Sequence, residues 1–192
     1  MMKTDILSAK TARRGALGAV LFGAMLVSTS SSALPSHGTS RPSTRVVDAD
    51  DRVFDLGTAN GRPALVVYED RESATLNAGL KAELSRVAKG DRYRSAVVLV
   101  PVADVAKYDY WPVRGFVKDA IRGESKKLGA PIFCDWDGSF AQSVGIHRGT
   151  SSVILYGRNG RVLFAYSGKV SEPDTRRLLE LLRVEIEGGT TT

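Results

Sequence analysis

Residues 64–68 and 95–102 are continuous apolar, β-branched runs, and between them Leu76, Leu80, Leu84 and Val87 recur at the spacing of one helix face. A run apolar on both faces predicts a strand buried in the middle of a sheet. Two such strands joined by a helical crossover are predicted to lie parallel, with a right-handed connection. The first run is bounded by a loop at 57–63 and by Glu69-Asp70, and the helix is expected to end at Gly90. This βαβ unit restricts the chain to the α/β class.

The elements around it extend the pattern. Val46-Val47 and Val53-Phe54 predict two short strands about the Asp-Ala-Asp-Asp turn between them. Residues 103–112 are irregular and aromatic, after which Phe116, Val117, Ala120 and Ile121 return to helical spacing. Residues 132–134 predict a short strand and 140–144 a short helix. Residues 152–156 and 162–166 are joined by Gly-Arg-Asn-Gly, whose Asn-Gly pair signals a tight hairpin turn. Leu178, Leu181, Leu182 and Ile186 close the chain as an amphipathic helix, with Glu172-Pro173-Asp174 suited to its start. The result is a central mixed sheet flanked by helices.

The amino-terminal part is of another kind. Lys3, Lys10, Arg13 and Arg14 precede an apolar run at 15–27 and small polar residues at 28–32, the pattern of a secretory signal peptide, with cleavage expected after Ala33. The run is shorter than the roughly 20 residues of a membrane-spanning helix, so retention as an anchor is the lesser alternative. Arg13-Arg14 also fits twin-arginine export. Residues 34–44, rich in Ser, Pro and Arg, are expected to be a disordered linker, 45–188 the folded domain, and 189–192 a disordered tail. The expected location is periplasmic or secreted, with no membrane span after cleavage.

Charge and inventory exclude several functions. Four basic residues against Asp5 in the leader take three of the six net positive charges, leaving about +3 on the mature chain. That balance, with no basic stripe interleaved with aromatics, points away from nucleic acid. Cys134 is the single cysteine, so no disulfide can form within the chain. His147 has no second histidine or cysteine at ligand spacing, and no phosphate-cradling or nucleophile-elbow motif is present, so no cofactor and no metal is expected.

From Ala130 onward, "APIFCDWDGSFAQSVGI" and "SSVILYGRNGRVLFAYSGKV" resemble the strand, turn, short helix and hairpin of the redoxin group of the thioredoxin superfamily. "DRYRSAVVLV", "GFVKDAIRGESKKLG" and the hairpin are similar to the YtfJ family of small periplasmic proteins. The resemblance spans about residues 64–186 and implies a thioredoxin-like fold. It also implies where a redox site would lie. Thioredoxin chemistry needs two thiols at the start of the helix after the central strand, where the helix terminus lowers the pKa of the first. On that alignment Ser73 and Leu76 hold the two cysteine positions, and Ser151 or a neighbour holds that of the cis-proline before the hairpin. A serine hydroxyl cannot exchange disulfides. Glu69, Asp70 and Glu72 would raise, not lower, a neighbouring thiol's pKa.

Four candidate sites remain. Cys134 is expected to be a buried core residue, with a one-cysteine peroxidase or sensor as the alternative. Glu69, Asp70, Glu72 and Asp135 are expected to gather beyond the carboxyl ends of the strands, either as a binding group or as ordinary helix-start and turn acids. Tyr108, Tyr110, Trp111 and Phe116 are expected to form a lid over the core, with a partner-binding patch as the alternative. Arg148, just before the hairpin, is placed to contact a peptide or merely to turn the chain. The function expected is an exported, non-enzymatic module that binds a protein or peptide in the cell envelope.

Overall fold

The computed structural model describes residues 34–88 and 95–188. The expected leader, the helix end at Gly90 and the tail lie outside these residues. Among them, seven strands form one mixed sheet: β1 (Arg45–Asp48), β2 (Val53–Asp55), β3 (Ala64–Glu69), β4 (Val98–Asp104), β5 (Phe133–Asp135), β6 (Ser152–Tyr156) and β7 (Val162–Ser167), in the order β2-β1-β5-β4-β3-β6-β7. β3, β4 and β5 are parallel, while β6 pairs antiparallel with β3, β7 with β6, and β1 with both β5 and β2. Among the described residues the sheet is accompanied by α1 (Ala78–Val87), α2 (Val113–Leu128), α3 (Ser139–Val144) and α4 (Glu172–Glu187).

Strand alternation divides the core between the two faces of the sheet. Val66 and Tyr68 of β3 point one way with Val102, Phe133 and Ile154, onto Phe140 and Val144 of α3. Leu65 and Val67 point the other way with Val153 and Leu155, onto Leu80 of α1 and Leu178 and Leu182 of α4. Full burial of a side chain such as Leu178 contributes on the order of 1.5–3 kcal/mol. α4 starts where its sequence predicts: extended Ser171 accepts from the Asp174 N–H, and Glu172 and Asp174 sit in the first turn.

Three boundaries differ from expectation. The chain at 71–77 makes turns, so α1 begins only at Ala78 and leaves Leu76 38 % exposed. Ser95 and Ala96 are helical and β4 runs from Val98 to Asp104, because its register is set by pairing with β3 from Ala64↔Val98 to Glu69↔Ala103. The expected linker is ordered: Gly38 N–H donates to the Val162 carbonyl (2.8 Å), Val162 N–H to the Thr39 carbonyl (2.9 Å) and Arg41 N–H to the Gly160 carbonyl (2.7 Å). Main-chain bonds along the otherwise open edge of β7 fix a segment that has few apolar side chains to bury.

Candidate functional site

At the carboxyl end of β3 the two positions aligned with catalytic thiols hold no free nucleophile. Ser73 Oγ donates to Asp70 Oδ1 (2.6 Å), the Ser73 N–H donates to the same oxygen (2.7 Å), and the Asp70 N–H donates to Ser73 Oγ (3.1 Å). Burial opposes ionisation of Asp70, but the hydroxyl and N–H of Ser73 outweigh it and hold the carboxyl below the usual range. Leu76 presents only a hydrocarbon side chain.

Ser151 is fully buried and faces this turn. Its hydroxyl donates to Glu69 Oε1 (3.0 Å) and accepts from Asn77 Nδ2 (2.8 Å). Asn77 Nδ2 also donates to the Gly168 carbonyl (2.9 Å), and its Oδ1 accepts from the Val170 N–H (2.8 Å). Lys81 of α1 pairs with the other oxygen of Glu69 (2.9 Å). Beyond the carboxyl end of β3 these neutral and paired polar groups thus form a closed hydrogen-bonded set. The structure brings Ser151, Glu69 and Asn77 into one network, while Ser73 bonds only within its own turn with Asp70; Asn77, which sequence reasoning missed, ties Ser151 to the Gly168 carbonyl and the Val170 N–H.

Asp135 does not join Glu69. It is buried on the opposite face of the sheet, where Oδ2 accepts from Tyr68 Oη (3.1 Å) and the Ala141 N–H (3.0 Å), and Oδ1 from the Phe140 N–H (3.3 Å). Burial pushes its carboxyl up, against the donation from Ala141, Tyr68 and Phe140. The expected gathering of acids fails because Tyr68 and Glu69 are consecutive and point to opposite faces. Beside Asp135 in the sheet register, buried Asp104 receives both Nε (2.8 Å) and Nη2 (2.7 Å) of Arg148. That fork holds the Arg148 guanidinium protonated more firmly than usual, with hydrogen bonding to Asp104 the main cause. Arg148 lies across Gly138, where an added Cβ would stand 3.2 Å from its Cδ. It is therefore a clamp between β4 and the loop entering β6. Asp104 carried no motif to identify it.

Cys134 is 2 % exposed, among Val105 and Trp136 and against Val117 and Ile121 of α2. Burial, helped by the charge of Asp48, pushes its thiol up to about 12. It shares a sheet face with Glu69, but Ala103 of β4 stands between them.

The expected lid is overturned in three of its four aromatics. Tyr108 packs against the Cys134 cluster, but Trp111 is 91 % exposed, Phe116 71 % and Tyr110 57 %. Val117 and Ile121 supply the buried face of α2, which turns Phe116 outward. The Lys107–Glu72 ion pair (2.6 Å) ties the base of this aromatic loop to the turn carrying Ser73.

No family model and no curated protein matches the chain. Solved structures do. A putative thiol:disulfide interchange protein DsbE from Chlorobium tepidum aligns with a TM-score of 0.60 at 17% identity, over 80% of this chain and 99% of its own. The exposed lipoprotein thioredoxin of Streptococcus pneumoniae aligns at 0.55 and 13%, over 73% and 98%. A secreted disulfide oxidoreductase of Mycobacterium tuberculosis aligns at 0.53 and 17%, over 74% and 96%. At these identities the likeness speaks for architecture. With its parallel β3-α1-β4 unit, antiparallel β6-β7 hairpin and closing helix, the chain has a thioredoxin-like α/β fold.

Proposed function

We propose that the chain is an exported, non-catalytic thioredoxin-like module, nearest to YtfJ-type periplasmic proteins, that binds a protein or peptide across the face where its redox relatives hold their thiols. Residues 1–33 are its leader and 189–192 its tail. The observation that carries the proposal is the exposed Tyr110-Trp111 pair with Phe116, joined through Lys107–Glu72 to the turn bearing Ser73 and Leu76. Exposed aromatics of this size on a rigid scaffold are the usual anchors of an interface. The one-cysteine alternative has less support, since the Cys134 thiol is enclosed and its pKa raised.

The test is a comparison of the full chain with Trp111→Ala and Phe116→Ser variants as bait for envelope extracts, identifying what each retains. The proposal expects a defined protein held by the native chain and lost from both variants while their circular dichroism is unchanged. Equal retention by all three would overturn it.

A further inference from the structure

A second site is built at the opposite end of β3, away from the serine network. There a cleft of about 400 Å³ opens between the ordered segment at 40–43 and the β6-β7 turn. Its walls carry three arginines, Arg41, Arg158 and Arg161, with Asn60, Asn159 and Ser43, and no acidic side chain among the described residues lines it.

None of the three guanidiniums forms an ion pair among the described residues. Arg158 Nε donates to the Gly61 carbonyl (3.3 Å) and Arg161 Nη1 to the Gly38 carbonyl (2.9 Å), which position both arginines without neutralising them. The nearby Asp55 carboxylate accepts from the Gly57 N–H (2.8 Å), and Glu185 takes the main-chain N–H of Arg158 (2.7 Å), not its side chain. Arg41 is held on the same wall: its N–H is fixed on the Gly160 carbonyl and its guanidinium lies beside Gly160 through Cζ and Nη2, while its Nη1 is enclosed away from solvent, where the guanidinium interacts with buried Tyr156. A Cβ at position 160 would stand 3.9 Å from Arg41 Cζ, and the positive φ of 73° there also favours glycine.

Three unneutralised guanidiniums in one concavity repel each other unless an anion lies between them. Their planar forks match the oxygens of a phosphoryl group, and three positive charges favour a dianion over a single carboxylate. Serine and asparagine around them make the lining mainly polar, so the rest of the ligand is hydrophilic.

We propose that this cleft binds a phosphate monoester of a polar molecule, its phosphoryl oxygens held by Arg41, Arg158 and Arg161 and its hydroxyls by Asn60 and Asn159. The monoester has two possible sources, a free metabolite or a lipid headgroup, and the site is independent of the aromatic face.

The test is calorimetric titration of the full chain with glycerol 3-phosphate at fixed ionic strength, beside co-sedimentation with vesicles containing phosphatidylinositol 4-phosphate, whose headgroup is a phosphate monoester of a polyol. Acetate and glycerol are the controls, and Arg158→Gln and Arg161→Gln are the variants, since neither side chain makes more than surface contacts to the fold. Saturable binding of either phosphate probe, about tenfold weaker in each variant, is expected from the loss of one charged hydrogen-bonding group. Binding of glycerol 3-phosphate without vesicles assigns a free ester; vesicle binding lost in the variants assigns a headgroup. No saturable binding of either probe, equal affinity for acetate, or affinity unchanged in both variants would overturn the proposal.

Discussion

Tyr68 and Cys134 show how little freedom single residues near the carboxyl edge of the sheet retain. Tyr68 is buried, and its hydroxyl donates to Asp135, lowering a carboxyl pKa that burial has raised. Tyr68→Phe therefore raises the folded pKa of Asp135 further above its unfolded value. Between those two values the folded state holds the extra proton, so stability falls as pH rises. The variant is expected to lose about 1–2 kcal/mol at neutral pH, and less as pH falls toward the unfolded carboxylate value. Urea titrations of both proteins from pH 4 to 8 measure this, and a pH-independent difference would contradict it. Cys134, with its thiol pushed up to about 12, is expected to label with a thiol reagent at least about a hundredfold more slowly in the folded chain at pH 8 than after denaturation. Fast labelling with a midpoint below about 8.5 would restore thiol chemistry to consideration.

The amino end of α1 depends on contacts that reach far along the chain. Asn77 bonds to Ser151, to Gly168 and to Val170, so one amide joins α1, the entry to β6 and the loop before α4. Asn77→Ala strands several buried groups together and is expected to cost about 2–4 kcal/mol in a denaturant titration, well above Ser73→Ala, whose bonds are confined to one turn. A loss for Asn77→Ala no larger than for Ser73→Ala would show that the network is not what positions the helix. The same contrast separates what could be read beforehand from what could not. β3, the β6-β7 hairpin and α4 were legible because periodicity and turn chemistry are local. The late start of α1 was not, since the partners of Asn77 stand 74 to 93 residues away. Nor was the order at 38–41, which rests on main-chain bonds to β7 that no side-chain pattern records. Phe116 shares the helical spacing of Val117 and Ile121, and only the packing of α2 onto Cys134 shows which of them faces out. In the site, the bond between Ser151 and Glu69 joins residues 82 apart and carries no local signal, whereas Asp135 was misplaced because neighbouring strand residues alternate faces.

The molecule as a whole has a thioredoxin-like frame, but the groups around Ser73 disfavour a thiolate, so placing cysteines at 73 and 76 should not by itself confer disulfide chemistry. A reactive thiol in this fold relies on a helix N-terminus to stabilise its anion. Here α1 begins at Ala78, beyond position 73, and the Asp70 carboxylate lies 2.6 Å from Ser73 Oγ. A thiolate at position 73 would therefore face a like charge at short range and gain little from the helix. In a Ser73→Cys, Leu76→Cys chain carrying Cys134→Ala, the thiol at 73 is expected to titrate above the free value of about 8.5, followed by thiolate absorbance against pH. Adding Asp70→Asn should bring that midpoint down, because the carboxylate charge is removed while its shape remains. Disulfide reduction at pH 7 should accordingly be slow in the first protein and faster in the second. A midpoint near 7 with Asp70 intact would mean that the frame itself, and not the residues around position 73, sets thiol reactivity there.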